Sequence, residues 1–281
     1  MEIQSQFTEV QGVRIHYLSA GEGGTPVLLL HGGGIDSARL SWQTVIEALA
    51  PHCRVFALDW PGYGESEWSE AQPSVDYYIS VLEGFRQKLG IEEAHLVGIS
   101  LGGAIALGYA LRHPEVVKKL VLVASYGLQR TAPLHKLSFL LVRLPPFHIV
   151  VWSVLRRSRF LVRRSLQGIF GDPRRVTESL VEEVWMELQK PNAGKAFSLF
   201  QKNEAQWDGL RTVYLDELPK LHVPTLIVHG ARDRLVPLAW AQEAHKRING
   251  SRLHIIPDCG HWLQREKPEE FNRVVLPFLL G

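Results

Sequence analysis

Short apolar runs, each closed by turn residues, recur along the chain, and between them lie longer stretches whose apolar positions return every three or four residues. The runs fall at 27–30, 55–58, 95–98, 120–124, 225–228 and 253–256, and helical spacing covers 101–112, 238–248 and 268–280. Runs that are apolar throughout fit strands covered on both faces. The alternation therefore predicts an α/β fold whose mostly parallel sheet is flanked by helices. Each run ends in a turn or in reactive side chains: His31-Gly-Gly-Gly34, Asp59-Trp-Pro-Gly62, Ser100, Ser125, His229-Gly230 and Pro257-Asp258. Ahead of the first run, Val13, Ile15 and Tyr17 alternate as a half-buried strand would.

The alternation lapses between residues 127 and 213, where no convincing strand pattern occurs and helical stretches are separated by Pro and Gly. This segment is predicted to be a helical cap inserted into a core domain formed by residues 1–126 and 214–281. Its first half holds Arg130, Lys136, Arg143, Arg156, Arg157, Arg159, Arg163, Arg164, Arg174 and Arg175 against Asp172 alone, and acids follow at 178–187. Charge on an insertion is ordinarily solvated surface. Attraction to an anionic substrate, or weak association with a membrane surface, is the second reading.

Composition narrows the partners. A chain of 281 residues that is 46% hydrophobic can bury one large core, and a net charge of +2 gives no basic excess of the kind nucleic-acid binding requires. A small-molecule partner is expected. Cys53 and Cys259 are read as free thiols in a reducing compartment, and the N-terminus shows no apolar signal core, so a cytoplasmic location is expected. The apolar stretch 147–155, preceded by Arg143, Pro145 and Pro146, is far shorter than the roughly 20 residues that span a bilayer, so no transmembrane segment is expected. Neither His-Glu-x-x-His nor paired Cys/His spacing occurs, so no metal or cofactor is expected.

The chemistry centres on Gly98-Ile99-Ser100-Leu101-Gly102-Gly103, which sits between a strand run and a helical stretch. A serine on a sharp strand-to-helix turn, with glycines two residues to either side, is the pattern of a nucleophile elbow. Serine needs a base, and the base needs a group that fixes its tautomer. His261, in Cys259-Gly260-His261-Trp262 after the last strand run, is the candidate base. Asp233, after the run at 225–228, is the candidate acid. Asp59 precedes Ser100 and is read as anchoring its own turn, and Asp258 lies too near His261 along the chain. The amides of Gly33 and Leu101 are the candidate oxyanion donors. Gly34, Ile99 and Trp262 are expected to border the substrate. An apolar pocket is expected from Phe139, Leu140, Phe147, Trp152, Phe160, Trp185, Phe197 and Phe200 of the insertion.

From the His-Gly-Gly-Gly loop, through residues 59–66 and the elbow, to Gly260-His261-Trp262, the chain resembles the α/β-hydrolases over nearly its whole length. The resemblance implies an eight-stranded, mostly parallel sheet with a helical cap, Ser100, Asp233 and His261 as the catalytic triad, and Gly33 and Leu101 as the oxyanion hole. The elbow serine argues against the haloalkane dehalogenases and epoxide hydrolases of that superfamily, whose nucleophile is an aspartate. Residues 260–266 followed by Phe271-Asn272-Arg273 look like the meta-cleavage product hydrolases, which break carbon–carbon bonds in vinylogous diketone acids. Those enzymes usually carry a polar Asn immediately before the nucleophile, where this chain has Ile99, and a longer proline-containing oxyanion loop, where it has Ile35-Asp36-Ser37. On that departure the expected reaction is hydrolysis of a carboxylic ester or related carbonyl substrate through an acyl-enzyme on Ser100, as a carboxylesterase would perform it. The alternative is carbon–carbon hydrolysis of a dienoic keto acid whose carboxylate is held by Arg163 or Arg164. A third reading, a ligand receptor that retains the fold, draws only on the independence of fold and function.

Overall fold

A computed structural model describes residues 2–144 and 147–281. Pro145 and Pro146, the break expected before the apolar stretch, lie outside the described residues, as does Met1. An eight-stranded sheet forms the centre, built from β1 (Gln4–Val10), β2 (Val13–Ala20), β3 (Val27–Leu30), β4 (Val55–Leu58), β5 (Ala94–Ile99), β6 (Val117–Val123), β9 (Thr225–Gly230) and β10 (Arg252–Ile256) in the order β1-β2-β4-β3-β5-β6-β9-β10. Only β2 runs against its neighbours; every pair from β4 to β10 is parallel. The central strands β3 and β5 are buried at every residue, and His95 is the one polar side chain they carry. β1 is a polar edge strand that sequence alternation does not reveal. It is held by its register on β2, by Gln6 accepting from Tyr17, and by the Arg14 guanidinium 3.8 Å from the centre of the Phe7 ring.

Helices cover both faces. α2 (Val75–Lys88), α3 (Leu101–Arg112) and α9 (Leu238–Arg247) bury one side, and α1 (Ala38–Leu49), the short α10 (Leu263–Glu266) and α11 (Pro268–Leu280) the other. α1 and α2 each start where a serine caps an amide of the first turn, Ser37 to Leu40 N at 3.2 Å and Ser74 to Tyr77 N at 3.1 Å. Between β6 and β9 lie α4 (His135–Arg143), α5 (Phe147–Arg156), α6 (Arg159–Ile169), α7 (Glu178–Leu188) and α8 (Lys195–Glu204). One feature there departs from the sequence reading: Ala205–Gln206 (β7) and Gly209–Leu210 (β8) pair as a two-residue hairpin, too short to show a period. Cys53 and Cys259 are both free and buried. No single helix among the described residues is long and apolar enough to cross a membrane.

Candidate active site

Ser100 occupies the turn between β5 and α3 with φ 50° and ψ −116°, a strained conformation for a residue with a Cβ. Neighbouring backbone explains the flanking glycines. A Cβ on Gly98 would come within 2.2 Å of Gly102 O, and one on Gly102 within 2.1 Å of Leu30 O, so any larger residue would force β5, α3 and β3 apart. Leu101 is the first residue of α3, and its amide lies outside the helical hydrogen-bond ladder, free to meet a negative charge.

The loop after β3 is held by two buried side chains. Trp60 N donates to His31 Nε2 at 3.1 Å, which assigns the imidazole proton to Nδ1, and Nδ1 donates to Gly32 O at 2.8 Å. Asp36 accepts from Gly32 N, Ser37 N and Ser41 Oγ, each at 2.8 Å. Ser41 Oγ in turn accepts from Trp262 Nε1 at 3.0 Å, so a chain of hydrogen bonds joins the loop bearing His261 to the loop bearing Gly33. Burial pushes the Asp36 carboxyl above its usual range, against the pull of His31, Ser41 and the two amides. Sequence reasoning treated Ile35-Asp36-Ser37 only as a departure from a family loop and missed Asp36 and Ser41. The one local signal was an acid beside a helix-capping serine.

Asp233 and His261 are joined: His261 Nδ1 lies 2.7 Å from Asp233 Oδ2, and both residues are buried. The second carboxylate oxygen accepts from Leu235 N at 2.8 Å and Val236 N at 2.9 Å, which fixes the carboxylate plane. Burial alone would raise this acid. The charge and hydrogen bond of His261, with His229 and the Val236 amide, outweigh it and hold Asp233 below the ordinary carboxylate value. His229, also missed from sequence, sits 3.4 Å from Asp233 and bonds Val236 O at 2.8 Å; burial, opposed by Asp233, keeps its imidazole toward the neutral form. Asp59 does anchor its own turn through Glu65 N at 2.9 Å, and also accepts from Ala38 N at 2.6 Å and from His16 at 2.7 Å. Asp258 is exposed and pairs with Arg232.

The His261 loop is pinned to the insertion. His261 N donates to Ile169 O at 2.8 Å, and the buried Glu266 accepts from Gly260 N at 2.8 Å, Gly171 N at 3.0 Å and Asp172 N at 2.8 Å.

Ser100 and His261 border one cavity of about 350 Å³, with no hydrogen bond between them among the described residues. Such bonds commonly tighten only when substrate binds. Gly33, Gly34, Ile99 and Trp262 line the cavity. Of the apolar insertion residues expected there, Trp152 and Phe197 line it; Leu140 and Phe160 are exposed, and Phe200 packs on Tyr126. Val151, Leu155, Val162, Ser165, Leu166, Ile169, Val184 and Leu188 complete the insertion's side of the wall. Arg163 and Arg164 are not part of it: Arg163 donates to Val176 O at 2.9 Å and pairs with Glu178, and Arg164 reaches Gln167 on the surface. On α6 the residues turned inward are Val162, Ser165, Leu166 and Ile169, so their neighbours at 163 and 164 point elsewhere. No Lys or Arg lines the cavity among the described residues. Nor does any group of His, Cys, Asp and Glu among them form a metal site.

An eight-stranded sheet with a serine elbow at the carboxyl end of β5 and an Asp–His pair after β9 and β10 defines an α/β-hydrolase. Residues 25–268 match the alpha/beta hydrolase fold family, and the chain belongs to it. A 2-hydroxy-6-oxo-6-phenylhexa-2,4-dienoate hydrolase of Comamonas testosteroni is 33% identical over 94% of this chain and 91% of its own. A 2-hydroxy-6-oxo-6-(2'-aminophenyl)hexa-2,4-dienoic acid hydrolase of Metapseudomonas resinovorans is 32% identical over 98% of this chain and 90% of its own. Among solved structures, a meta-cleavage product hydrolase of Pseudomonas fluorescens superposes with a TM-score of 0.84 at 30% identity, covering 97% of this chain and 96% of that one.

These relatives overturn the expectation of carboxylic-ester hydrolysis, since they are named as hydrolases of dienoic keto acids or of a meta-cleavage product, which match the alternative reading instead. The physical reason is that a serine activated by an imidazole, with two amides to hold the oxyanion, can attack a ketone carbonyl as well as an ester carbonyl. The motif that marks the nucleophile does not register whether the leaving atom is oxygen or carbon.

Proposed function

We propose that this hydrolase cleaves a carbon–carbon bond in a 2-hydroxy-6-oxodienoate whose 6-substituent is apolar. The observation that carries the reading is full-length similarity to such hydrolases in a chain whose Ser100 and His261 border one apolar cavity. Its wall of Val, Leu, Ile and Trp side chains supports an aryl or alkyl 6-substituent, buried by the hydrophobic effect.

The chemistry follows from the bond that must break. In the dienol form, C5 is vinylic and cannot readily carry away an electron pair. After the 2-hydroxyl proton moves to C5, the same bond joins a ketone to a carbon conjugated with the 2-oxo group. Ser100 Oγ then gives its proton to His261 and attacks C6, and the Gly33 and Leu101 amides hold the oxyanion. Collapse breaks C5–C6, sending the pair into the conjugated 2-oxo chain, and protonated His261 returns the proton. Water, deprotonated by His261, then attacks the acyl-serine and releases a carboxylic acid and a 2-hydroxydienoate. Asp233 holds His261 with its proton on Nδ1, so that Nε2 serves as the base.

The test is a substrate series followed by loss of the yellow dienolate absorbance. Every substrate of the series carries the 1-carboxylate, so the comparison isolates a second charge: a 6-phenyl substrate is expected to exceed one bearing a terminal carboxylate on its 6-substituent by about 100-fold or more in kcat/KM, because that second charge would lie unpaired against the apolar part of the wall. Ser100→Ala is expected to abolish turnover of the phenyl substrate. No cleavage of any dienoate, or equal turnover of the doubly charged one, would refute the reading.

A further inference from the structure

The outer face of the insertion joins two features that the hydrolytic reading does not use. Leu137, Leu140 and Leu144 return at helical spacing along and just beyond α4 and are exposed, and Ile149, Val154 and Phe160 continue the exposed apolar surface on α5 and at the start of α6. α5 packs against both α4 and α6, so these side chains stand on adjoining helices. Ile149 is 71% exposed and Phe160 67%, values that a soluble surface rarely gives to several large apolar residues together.

The same segment is of single-sign charge. Residues 127–171 contain Lys and Arg but no Asp or Glu. Arg130, Arg159 and Arg163 pair with acids from elsewhere in the chain, whereas the exposed Lys136, Arg143, Arg157 and Arg164 have no carboxylate partner among the described residues. Two of these cations lie over aromatic rings of the same region, Lys136 at 5.2 Å from the centre of Trp207 and Arg143 at 4.6 Å from that of Phe139, which keeps charge at the level of the apolar side chains. A second copy of this chain is a poor partner for such a face. A two-fold interface would set the cations against themselves with no acid between them. Apolar side chains that enter the acyl boundary, ringed by cations that meet headgroups, are complementary to an anionic lipid leaflet.

We propose that the face formed by α4, α5 and the start of α6 docks on a bilayer surface bearing anionic lipid. Docking would place the outer groove between α5 and α6, lined by Val150, Val154, Leu161 and Arg164, in the headgroup layer. Val151, Leu155 and Ser165 border both that groove and the catalytic cavity, so these side chains form the partition between lipid and nucleophile. An apolar substrate dissolved in the leaflet would then reach the cavity by displacing side chains of one helix seam.

Vesicle flotation of the full chain tests this without measuring hydrolysis, so its outcome is separable from that of the proposed reaction. The chain is expected to float with phosphatidylcholine vesicles containing about 25 mol% phosphatidylglycerol at about 0.1 M salt, to float far less with pure phosphatidylcholine, and to be released near 0.5 M salt. Lys136→Gln and Arg164→Gln are each expected to lower the partition coefficient roughly fivefold. The exposed-site double variant Ile149→Glu/Phe160→Glu is expected to abolish flotation while keeping the parent circular dichroism and unfolding midpoint. Absence of flotation with the anionic vesicles, or flotation that none of these variants reduces, would overturn the proposal. So would a dimer in sedimentation velocity that the double variant dissolves, because the face would then belong to a second copy.

Discussion

Glu266 is the point where the insertion and the histidine loop are tied, and replacing it measures how far the site depends on that tie. Its carboxylate accepts three amides, Gly260 N at 2.8 Å, Gly171 N at 3.0 Å and Asp172 N at 2.8 Å, with the Cys259 thiol at 3.6 Å. Gly260 is buried, so without the carboxylate its N–H has no water to turn to, whereas Gly171 and Asp172 are half-exposed and can be resolvated. A hydrogen bond to a charged acceptor is worth about 1.5–3 kcal/mol net, and an orphaned buried donor costs about 1–3 kcal/mol. One full loss and two partial ones give about 3–5 kcal/mol for Glu266→Ala. Glu266→Gln keeps one acceptor oxygen but turns an amide N–H toward a backbone donor, for a loss of about 2 kcal/mol. Urea unfolding followed by circular dichroism and by tryptophan fluorescence reads both values. Because His261 N is bonded to Ile169 O at the end of α6, loosening this junction also moves the imidazole relative to Ser100. A fall in kcat of about 10-fold to 100-fold in the Gln variant is therefore expected, since small misplacement of a reacting group costs that much. A Glu266→Ala protein within about 0.5 kcal/mol of the parent would show that the three amides find other partners and that the tie is not structural.

Two further outcomes follow from the buried acids. Burial, opposed by Lys190, raises Glu187 to about 7, so the unfolded chain gives up this proton first and stability declines as pH rises from the ordinary Glu value toward 7. Glu187→Gln should flatten that stretch of the pH–stability curve and be more stable than the parent above pH 7, by about 1–3 kcal/mol in denaturant titrations; an unchanged curve would refute the assignment. Asp233 is held below the ordinary carboxylate value, so its stabilisation is present above the unfolded-state pKa and is lost as pH falls through the folded one. Asp233→Asn should remove that contribution and lower kcat by about 1000-fold to 10,000-fold, because an amide N–H facing His261 Nδ1 drives the proton to Nε2; kcat within tenfold of the parent would contradict the role proposed for Asp233.

Much of the scaffold is written in local pattern. The runs at 27–30 and 55–58 are the strands β3 and β4 residue for residue, and the elbow glycines at 98 and 102 announce a turn in which no Cβ fits. These features are legible because a parallel strand covered on both faces is apolar at nearly every position, and a strained turn requires glycine wherever backbone passes close by. The candidate Asp–His pair was legible through chain order and strand ends, although the two residues stand 28 positions apart.

What the chain did not disclose by itself is direction and long-range partnership. Arg163 and Arg164 share a helix with cavity-lining residues, yet a turn of 100° per residue points them away from the cavity, and only packing fixes which side of α6 faces inward. β1 is polar on both faces and becomes a strand because β2 offers it an edge. Asp36 and Ser41 are ordinary residues in sequence, and nothing there links them to Trp262; their hydrogen-bond chain exists because folding brings together positions 221 apart. Short-range sterics and burial periodicity belong to the sequence, whereas the shape and charge of the cavity belong to tertiary structure, since they depend on which faces of distant elements meet.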